Sequence, residues 1–240
     1  MAKVIVIREE RCLACKTCVT ECQMAHTGAA TLVEALAGEA PPQARVYVEP
    51  AGGLSLALQC RHCADAPCVL VCPKDAIRRE VEDGPVLIDP DLCIGCRFCT
   101  VACPYGMIEM SPVGKLAVKC DLCVARPGAP GQPACVEACP TSALELRVVD
   151  DELAAQREEV EQRVLAALRE APAPGGGAKV AGCVDCGAEV VPAKMLDVVR
   201  GKLPERFAVA SVCPRCRRQR LAGILVELSP AGALSGDRAG

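Results

Sequence analysis

Twenty cysteines, disposed in five groups of four with none left over, constrain this 240-residue chain more than any other feature. The groups are Cys12, Cys15, Cys18 and Cys22; Cys60, Cys63, Cys68 and Cys72; Cys93, Cys96, Cys99 and Cys103; Cys120, Cys123, Cys135 and Cys139; and Cys183, Cys186, Cys213 and Cys216. Only two Phe and two Tyr, and no Trp, accompany them, so the ring area that usually fills a core of this size is missing. Something else must hold the interior, and the cysteines are the candidates. A hydrophobic content of 51% argues against low-complexity disorder, and 20 glycines without a three-residue period exclude a collagen-like chain.

Groups one and three are spaced C-x2-C-x2-C-x3-C. Groups two and four keep the opening C-x2-C and the closing C-x3-C, with four and eleven residues inserted between them. This is the ligand run of a bacterial-type [4Fe–4S] ferredoxin, in which three cysteines hold one cluster and the fourth reaches a second. The loop wraps the backbone around one cubane, while the fourth sulfur faces away from it. Sharing is reciprocal, so four such motifs make two pairs and four clusters. Pro73, Pro104 and Pro140 follow the last cysteine of groups two, three and four and turn the chain there. Group one departs from this pattern with Gln23. Zinc knuckles do not pack four cysteines into so short a run.

The apolar run Val4–Ile7 is too short for a secretory signal, and no stretch approaches the 18–20 apolar residues of a membrane helix. The expectation is a cytoplasmic protein that does not enter a membrane, in which thiols stay reduced and a disulfide framework does not form. With 27 basic against 30 acidic residues, a nucleic-acid surface is not evident over the chain as a whole.

The strings Cys60-Arg61-His62-Cys63-Ala64-Asp65-Ala66-Pro67-Cys68, Cys93-Ile94-Gly95-Cys96-Arg97-Phe98-Cys99 with Cys103-Pro104-Tyr105-Gly106, and Lys119-Cys120-Asp121-Leu122-Cys123 carry a closer likeness. Over about residues 3–148 the chain resembles the four-cluster ferredoxin-like electron-transfer subunits that serve molybdenum and tungsten oxidoreductases, CO dehydrogenases and formate- or hydrogenase-type complexes. Typical members are the iron–sulfur subunit of dimethyl sulfoxide reductase and the CO-dehydrogenase-associated iron–sulfur protein. The resemblance implies nested pairing, motif two with motif three and motif one with motif four. It would place Cys60, Cys63, Cys68 and Cys103 on one cluster and Cys93, Cys96, Cys99 and Cys72 on its neighbour. Cys12, Cys15, Cys18 and Cys139 would hold a third, and Cys120, Cys123, Cys135 and Cys22 the fourth. It further implies a catalytic oxidoreductase subunit and a second electron carrier as partners.

Along the chain, Lys3–Arg8 reads as a strand, and 28–44 as an insertion with a short helix over 31–37. Strands are expected over 45–48 and 55–58. A hairpin turned by Asp83-Gly84 joins 76–78 to 86–88, and a second joins 108–110 to 116–118. The fold class is therefore α+β: two tandem bacterial-ferredoxin-like units over 1–149, then a helix and a small zinc-ribbon-like C-terminal domain. Asp150 or Asp151 caps the helix, which buries Leu153, Val160, Val164, Leu165 and Leu168. Residues 150–177 comprise this helix and a Pro/Gly linker, 178–226 the ribbon, and 227–240 a flexible tail.

The fifth group differs in kind. Two C-x2-C knuckles, Cys183/Cys186 and Cys213/Cys216, are separated by 26 residues and suit a tetrahedral S4 site. Zinc is expected there rather than rubredoxin-type iron, since no aromatics flank the knuckles. Arg215, Arg217, Arg218 and Arg220 cluster at the second knuckle and read as a solvated face or one meeting an acidic partner. Of the two histidines, His62 reads as a hydrogen-bond donor near a cluster and His26 as a surface residue. Neither sits in an acid–base constellation, and four-cysteine ligation leaves no iron open to substrate. Electron transfer without catalysis is the expectation. The alternative is a redox-responsive binding or regulatory protein that reads through the Arg-rich ribbon.

Overall fold

The computed structural model describes residues 2–38, 41–113, 115–171 and 180–229. The 172–177 linker lies outside them, as does the expected tail apart from Glu227–Ser229. Strand β1 (Lys3–Ile7) is a run of Val and Ile, and the loop after it carries Cys12 and Cys15 into α1 (Thr17–Ala25), which holds Cys18 and Cys22. The insertion holds α2 (Leu32–Ala37), whose N-cap Thr31 accepts from the Glu34 N–H. Strands β2 (Val46–Ala51) and β3 (Leu54–Gln59) form an antiparallel hairpin that delivers the second motif. One turn of helix, α3 (Pro67–Leu70), starts at Pro67, where the missing N–H costs nothing.

Two small hairpins follow. Strands β4 (Ile77–Arg79) and β5 (Val86–Ile88) pair antiparallel and lead to α4 (Phe98–Ala102); β6 (Glu109–Met110) and β7 (Ala117–Val118) repeat the arrangement. Helix α5 (Ala134–Glu137) carries the end of the fourth motif, and β8 (Leu144–Val148) returns to pair with β1 in the register Lys3↔Val148 to Ile7↔Leu144. The first strand and the last thus close the cysteine-rich part of the chain. The architecture is α+β with tandem ferredoxin-like domains built from two-stranded sheets.

Helix α6 (Asp151–Arg169) starts at the N-cap Asp150, whose side chain accepts the Leu153 N–H at 2.8 Å. Its five expected apolar residues are all buried. Strands β9 (Val180–Gly182) and β10 (Glu189–Pro192) flank the first knuckle of the fifth group; α7 (Ala193–Lys202) follows and packs on α4. The second knuckle opens α8 (Pro214–Leu228), which lies against β2, β3 and α6. One buried apolar cluster joins Leu56, Tyr105 and Met107 to Val160, Cys216, Leu221 and Val226.

The contact of the second knuckle with the ferredoxin part is close at Gly106. This residue has φ +68°, and a Cβ there would lie 2.1 Å from the Pro214 carbonyl oxygen. Gly106→Ala is expected to cost about 2–4 kcal/mol, against about 1 kcal/mol for Gly128→Ala, which shares the left-handed φ but faces open space. Denaturant unfolding of the two variants checks this.

Candidate functional site

The loops that carry the cysteines are bent by residues in the left-handed region. Ala14 and Lys16 adopt positive φ in the first motif, His62 in the second, Gly95 and Arg97 in the third, Leu122 and Cys123 in the fourth. For non-glycine residues such φ values cost energy and persist where surrounding structure enforces them. The alternation turns successive N–H groups toward one side, a concavity suited to anionic sulfur. His62 N–H lies 3.4 Å from Cys60 Sγ and Leu122 N–H 3.5 Å from Cys120 Sγ.

A second recurring turn follows the last cysteine of three motifs. Asp75, Gly106 and Ser142 each stand three residues after that cysteine with φ near +51°, +68° and +51°. They follow Pro73, Pro104 and Pro140. In two of these turns an N–H four residues on reaches the sulfur: Met107 to Cys103 at 3.4 Å and Ala143 to Cys139 at 3.2 Å. Gln23 in the first motif has a physical explanation. Helix α1 continues through it, so no turn forms, and the N–H on Cys22 Sγ comes instead from Arg45 at 3.2 Å.

The sulfurs gather in four sets. Cys60, Cys63, Cys68 and Cys103 line one small cavity with His62, Tyr105 and Met107; Cys72, Cys93, Cys96 and Cys99 line another with Phe98. Burial and the charges of Cys12, Cys15 and Cys139 push the Cys18 thiol up to about 11. Burial, Cys22 and Cys123 push Cys135 up, and burial with Cys60 pushes Cys120 up. Cys99 is raised to about 12 by burial and by Cys96, Cys93 and Cys72. As bare thiolates these sets repel one another in a low dielectric, and cationic metal at their centres removes that penalty. The donor chemistry therefore fits iron–sulfur clusters.

The sets are coupled in succession: Cys99 acts electrostatically on Cys68, Cys60 on Cys120, and Cys18 on Cys135. At one end Cys15 is exposed beside Leu13; at the other, Cys93 and Cys96 flank Ile94. Leu13 is 69% exposed and Ile94 61%.

In the fifth group, Cys183, Cys186, Cys213 and Cys216 place their sulfurs within 4.8 Å of one another, with Cys186 and Cys213 3.8 Å apart. A tetrahedron with metal–sulfur bonds of about 2.3 Å has edges of about 3.8 Å. Arg220 ties the knuckles together through Asp185, at 2.6 and 2.9 Å.

The expectation of a solvated arginine face is corrected. Arg215 is exposed, but Arg217 and Arg218 are among the buried residues of α8. Arg217 donates to the carbonyls of Thr100, Val101 and Cys103 at 3.2, 2.6 and 2.6 Å, capping the C-terminal end of α4, and to Ala210 at 2.9 Å. Arg218 reaches Glu49 at 3.0 Å, Glu109 at 2.6 Å and the Gly106 carbonyl at 2.8 Å, with its guanidinium 3.8 Å above the Tyr47 ring. Apart from Ala210, these partners lie more than a hundred residues away, beyond what a local charge pattern reveals.

His26 is likewise not a surface residue. Its Nδ1 lies 2.7 Å from the Cys22 carbonyl and its Nε2 3.2 Å from Asp121, which also accepts from Arg45 and from the Cys123 N–H. His62 Nδ1 accepts the Val86 N–H at 3.0 Å, so its proton sits on Nε2, which is buried with no partner among the described residues. Beside Cys60 and Cys63, that proton suits a cluster sulfur.

Asp121 is half-buried, which raises its carboxyl, but the His26 and Arg45 contacts outweigh this and hold it well below the usual range. A carboxyl depressed in the folded state stabilises the fold above its unfolded pKa and loses that contribution as pH falls. Asp121→Asn is expected to cost about 1–3 kcal/mol at neutral pH, a gap that narrows on acidification, as measured by unfolding at several pH values.

Comparison with known proteins agrees with this geometry. The 4Fe-4S dicluster domain family matches residues 53–149, and a second model of the same description matches 11–77. The chain is 40% identical over 159 residues to an iron-sulfur protein of Rhodospirillum rubrum, covering 61% of this chain and 82% of that one. It is 35% identical over 150 residues to a subunit of the anaerobic dimethyl sulfoxide reductase of Escherichia coli, covering 60% and 73%. Protein NrfC of Escherichia coli is 50% identical over 93 residues, 38% of this chain and 42% of that one. Both family matches end before Cys183, so the fifth cysteine group lies outside them. This protein belongs to the family of iron–sulfur electron-transfer proteins built from 4Fe-4S dicluster domains.

Proposed function

We propose that this chain is a non-catalytic subunit that relays single electrons through four [4Fe–4S] clusters to or from a separate oxidoreductase. The ligand sets are the nested ones, Cys72/93/96/99, Cys60/63/68/103, Cys22/120/123/135 and Cys12/15/18/139, in that order of succession. The reading is supported by the gathering of Cys60, Cys63, Cys68 and Cys103 around one cavity and of Cys72, Cys93, Cys96 and Cys99 around another, with successive sets acting on each other electrostatically. Each cluster gains and loses one electron without rearrangement of protein bonds, at a potential set by charge, hydrogen bonds to sulfur and exposure. The chain's own part is to space the clusters, exclude water from the middle pair and expose the end pair. Exposed Leu13 and Ile94, next to the terminal sets, are where the catalytic subunit and the second electron carrier dock.

The partner is of the molybdenum or tungsten type (aldehyde or formate oxidoreductase), a CO dehydrogenase or a hydrogenase; that one relative is a chain of an anaerobic dimethyl sulfoxide reductase supports an oxidoreductase partner. No described helix is long and apolar enough to cross a membrane. The fifth group holds one structural zinc, supported by the sulfur spacing. Regulation through an exposed arginine ribbon has little to work with, since Arg217, Arg218 and Arg220 are engaged within the chain.

Anaerobic metal and sulfide analysis tests the reading: about 16 iron, equal sulfide and one zinc per chain are expected. Protein without iron and sulfide overturns it, and about 17 iron without zinc overturns the zinc assignment. Cys99→Ser is expected to remove or convert one cluster signal in the EPR of reduced protein and leave the Cys12 set intact. Leu13→Asp and Ile94→Asp should each slow electron exchange with one partner about tenfold at unchanged iron content.

A further inference from the structure

Cations in this chain fall into two kinds. Arg218 is compensated by Glu49 and Glu109, Arg45 by Asp121, Arg78 by Asp89 and Arg220 by Asp185, so their fields largely cancel. A second kind spends its hydrogen bonds on backbone carbonyls alone and keeps a full positive charge. Arg217 donates to the Cys103 carbonyl, Arg79 to the Cys63 carbonyl at 2.6 Å, and Arg157 to the Arg61 carbonyl at 2.7 Å. Lys119 donates to the carbonyls of Val86 and Cys120, the latter at 3.0 Å. None of these four has a carboxylate within ion-pair distance among the described residues.

Three of them lie at one sulfur set, and Lys119 stands between it and the next. Cys103 and Cys63 belong to the first set directly, Arg61 and Val86 line its cavity, and Lys119 acts on both Cys68 and Cys120. Arg217 and Lys119 are almost wholly buried, at 1% and 3% exposure, so solvent screens them little. Against them stand Glu161, which accepts from the Tyr105 hydroxyl, and Asp121, already engaged by Arg45 and His26. Near the set at the Leu13 end, the charges acting on Cys18 are those of other cysteines. Beside the Ile94 set, Arg97 is exposed.

We propose that Arg217, delivered by the second knuckle of the tetrathiolate site, acts with Arg79, Arg157 and Lys119 to give the Cys60/Cys63/Cys68/Cys103 cluster the highest reduction potential of the four. The inference rests on the four-cluster reading above. One-electron reduction adds a negative charge to a cluster and breaks no bond, and an uncompensated cation in a low dielectric favours that added charge. The second centre of the succession is thus an electron sink. The C-terminal metal knuckle gains a role beyond packing, since it fixes the first turn of α8 on which Arg217 stands. Arg217 is here a positioning and tuning residue that touches no cluster atom.

Redox titration followed by EPR, on the full chain prepared anaerobically with its iron and sulfide and reduced with dithionite, tests this. In Arg217→Met the highest of the four midpoints should fall by on the order of tenfold in its one-electron equilibrium, ~59 mV, with the other three unmoved. Arg217→Lys, which keeps the charge, should recover most of the difference. Arg218→Met combined with Glu49→Gln, which removes a cation and its carboxylate together, should leave all four midpoints in place. If Arg217→Met does not retain iron, Arg157→Gln at the solvent side of the ring reads the same midpoint in the same direction. Unmoved midpoints in the iron-replete variant, an equal shift of all four, or a shift confined to another centre overturns the proposal. Wild-type protein that lacks iron and sulfide overturns the four-cluster reading itself, a separate failure visible before any variant is made.

Discussion

The burial of thiolates is the interaction on which the rest of the structure depends. Cys18, Cys22, Cys68, Cys99, Cys103, Cys120, Cys123 and Cys135 are all buried, and most of the thiol shifts in these sets are upward, the direction that disfavours the charged form. The exceptions, Cys15 and Cys139, sit at the exposed end, where hydroxyl and backbone donors outweigh burial. The polypeptide around them is thin. Its sheets have two strands each, and isolated two-stranded hairpins are marginal in water. Few aromatics are present to supply core area, and the cysteines themselves appear in the apolar clusters beside Leu56, Met107 and Ile108. Metal that neutralises the thiolates therefore contributes folding energy directly, as in other small metal-bound domains.

What was legible in the sequence followed from this constraint. The spacing within each motif is dictated by wrapping a short loop around a compact centre, so motifs and pairs could be read by counting. Local signals carried the hairpin at Asp83-Gly84, the N-cap at Asp150 and the apolar face from Leu153 to Leu168. The nested grouping came from resemblance; in the structure Cys103 lines a cavity with Cys60, and Cys72 lines one with Cys93. Even the departure at Gln23 had a local cause, a helix that runs on where the other motifs turn.

What was not legible depends on distant partners. Arg217 and Arg218 stand in a run of basic residues that on composition alone belongs to the surface. Their acceptors are carbonyls of α4, Glu49 on β2 and Glu109 on β6, and a one-dimensional pattern does not bring these together. His26 shows the same limit, since its partner Asp121 is 95 residues on. In each case the missing information is a polar contact across the fold, made to residues far away in the sequence.

The two adjacent arginines also show how one helix turn can serve two purposes. Arg218 meets two carboxylates and an aromatic face, a set that fixes the orientation of α8 against β2 and leaves no uncompensated positive charge behind. Arg217 meets four carbonyls and leaves a full unit of charge beside Cys103. A guanidinium needed only to cap α4 would be better placed where water could share its charge, because burying a cation without a counter-ion is costly. The thiolate set beside it supplies the counter-charge instead. Negative clusters and the uncompensated cations around them stabilise one another, which explains why a chain otherwise careful to pair its buried charges leaves these unpaired with any carboxylate.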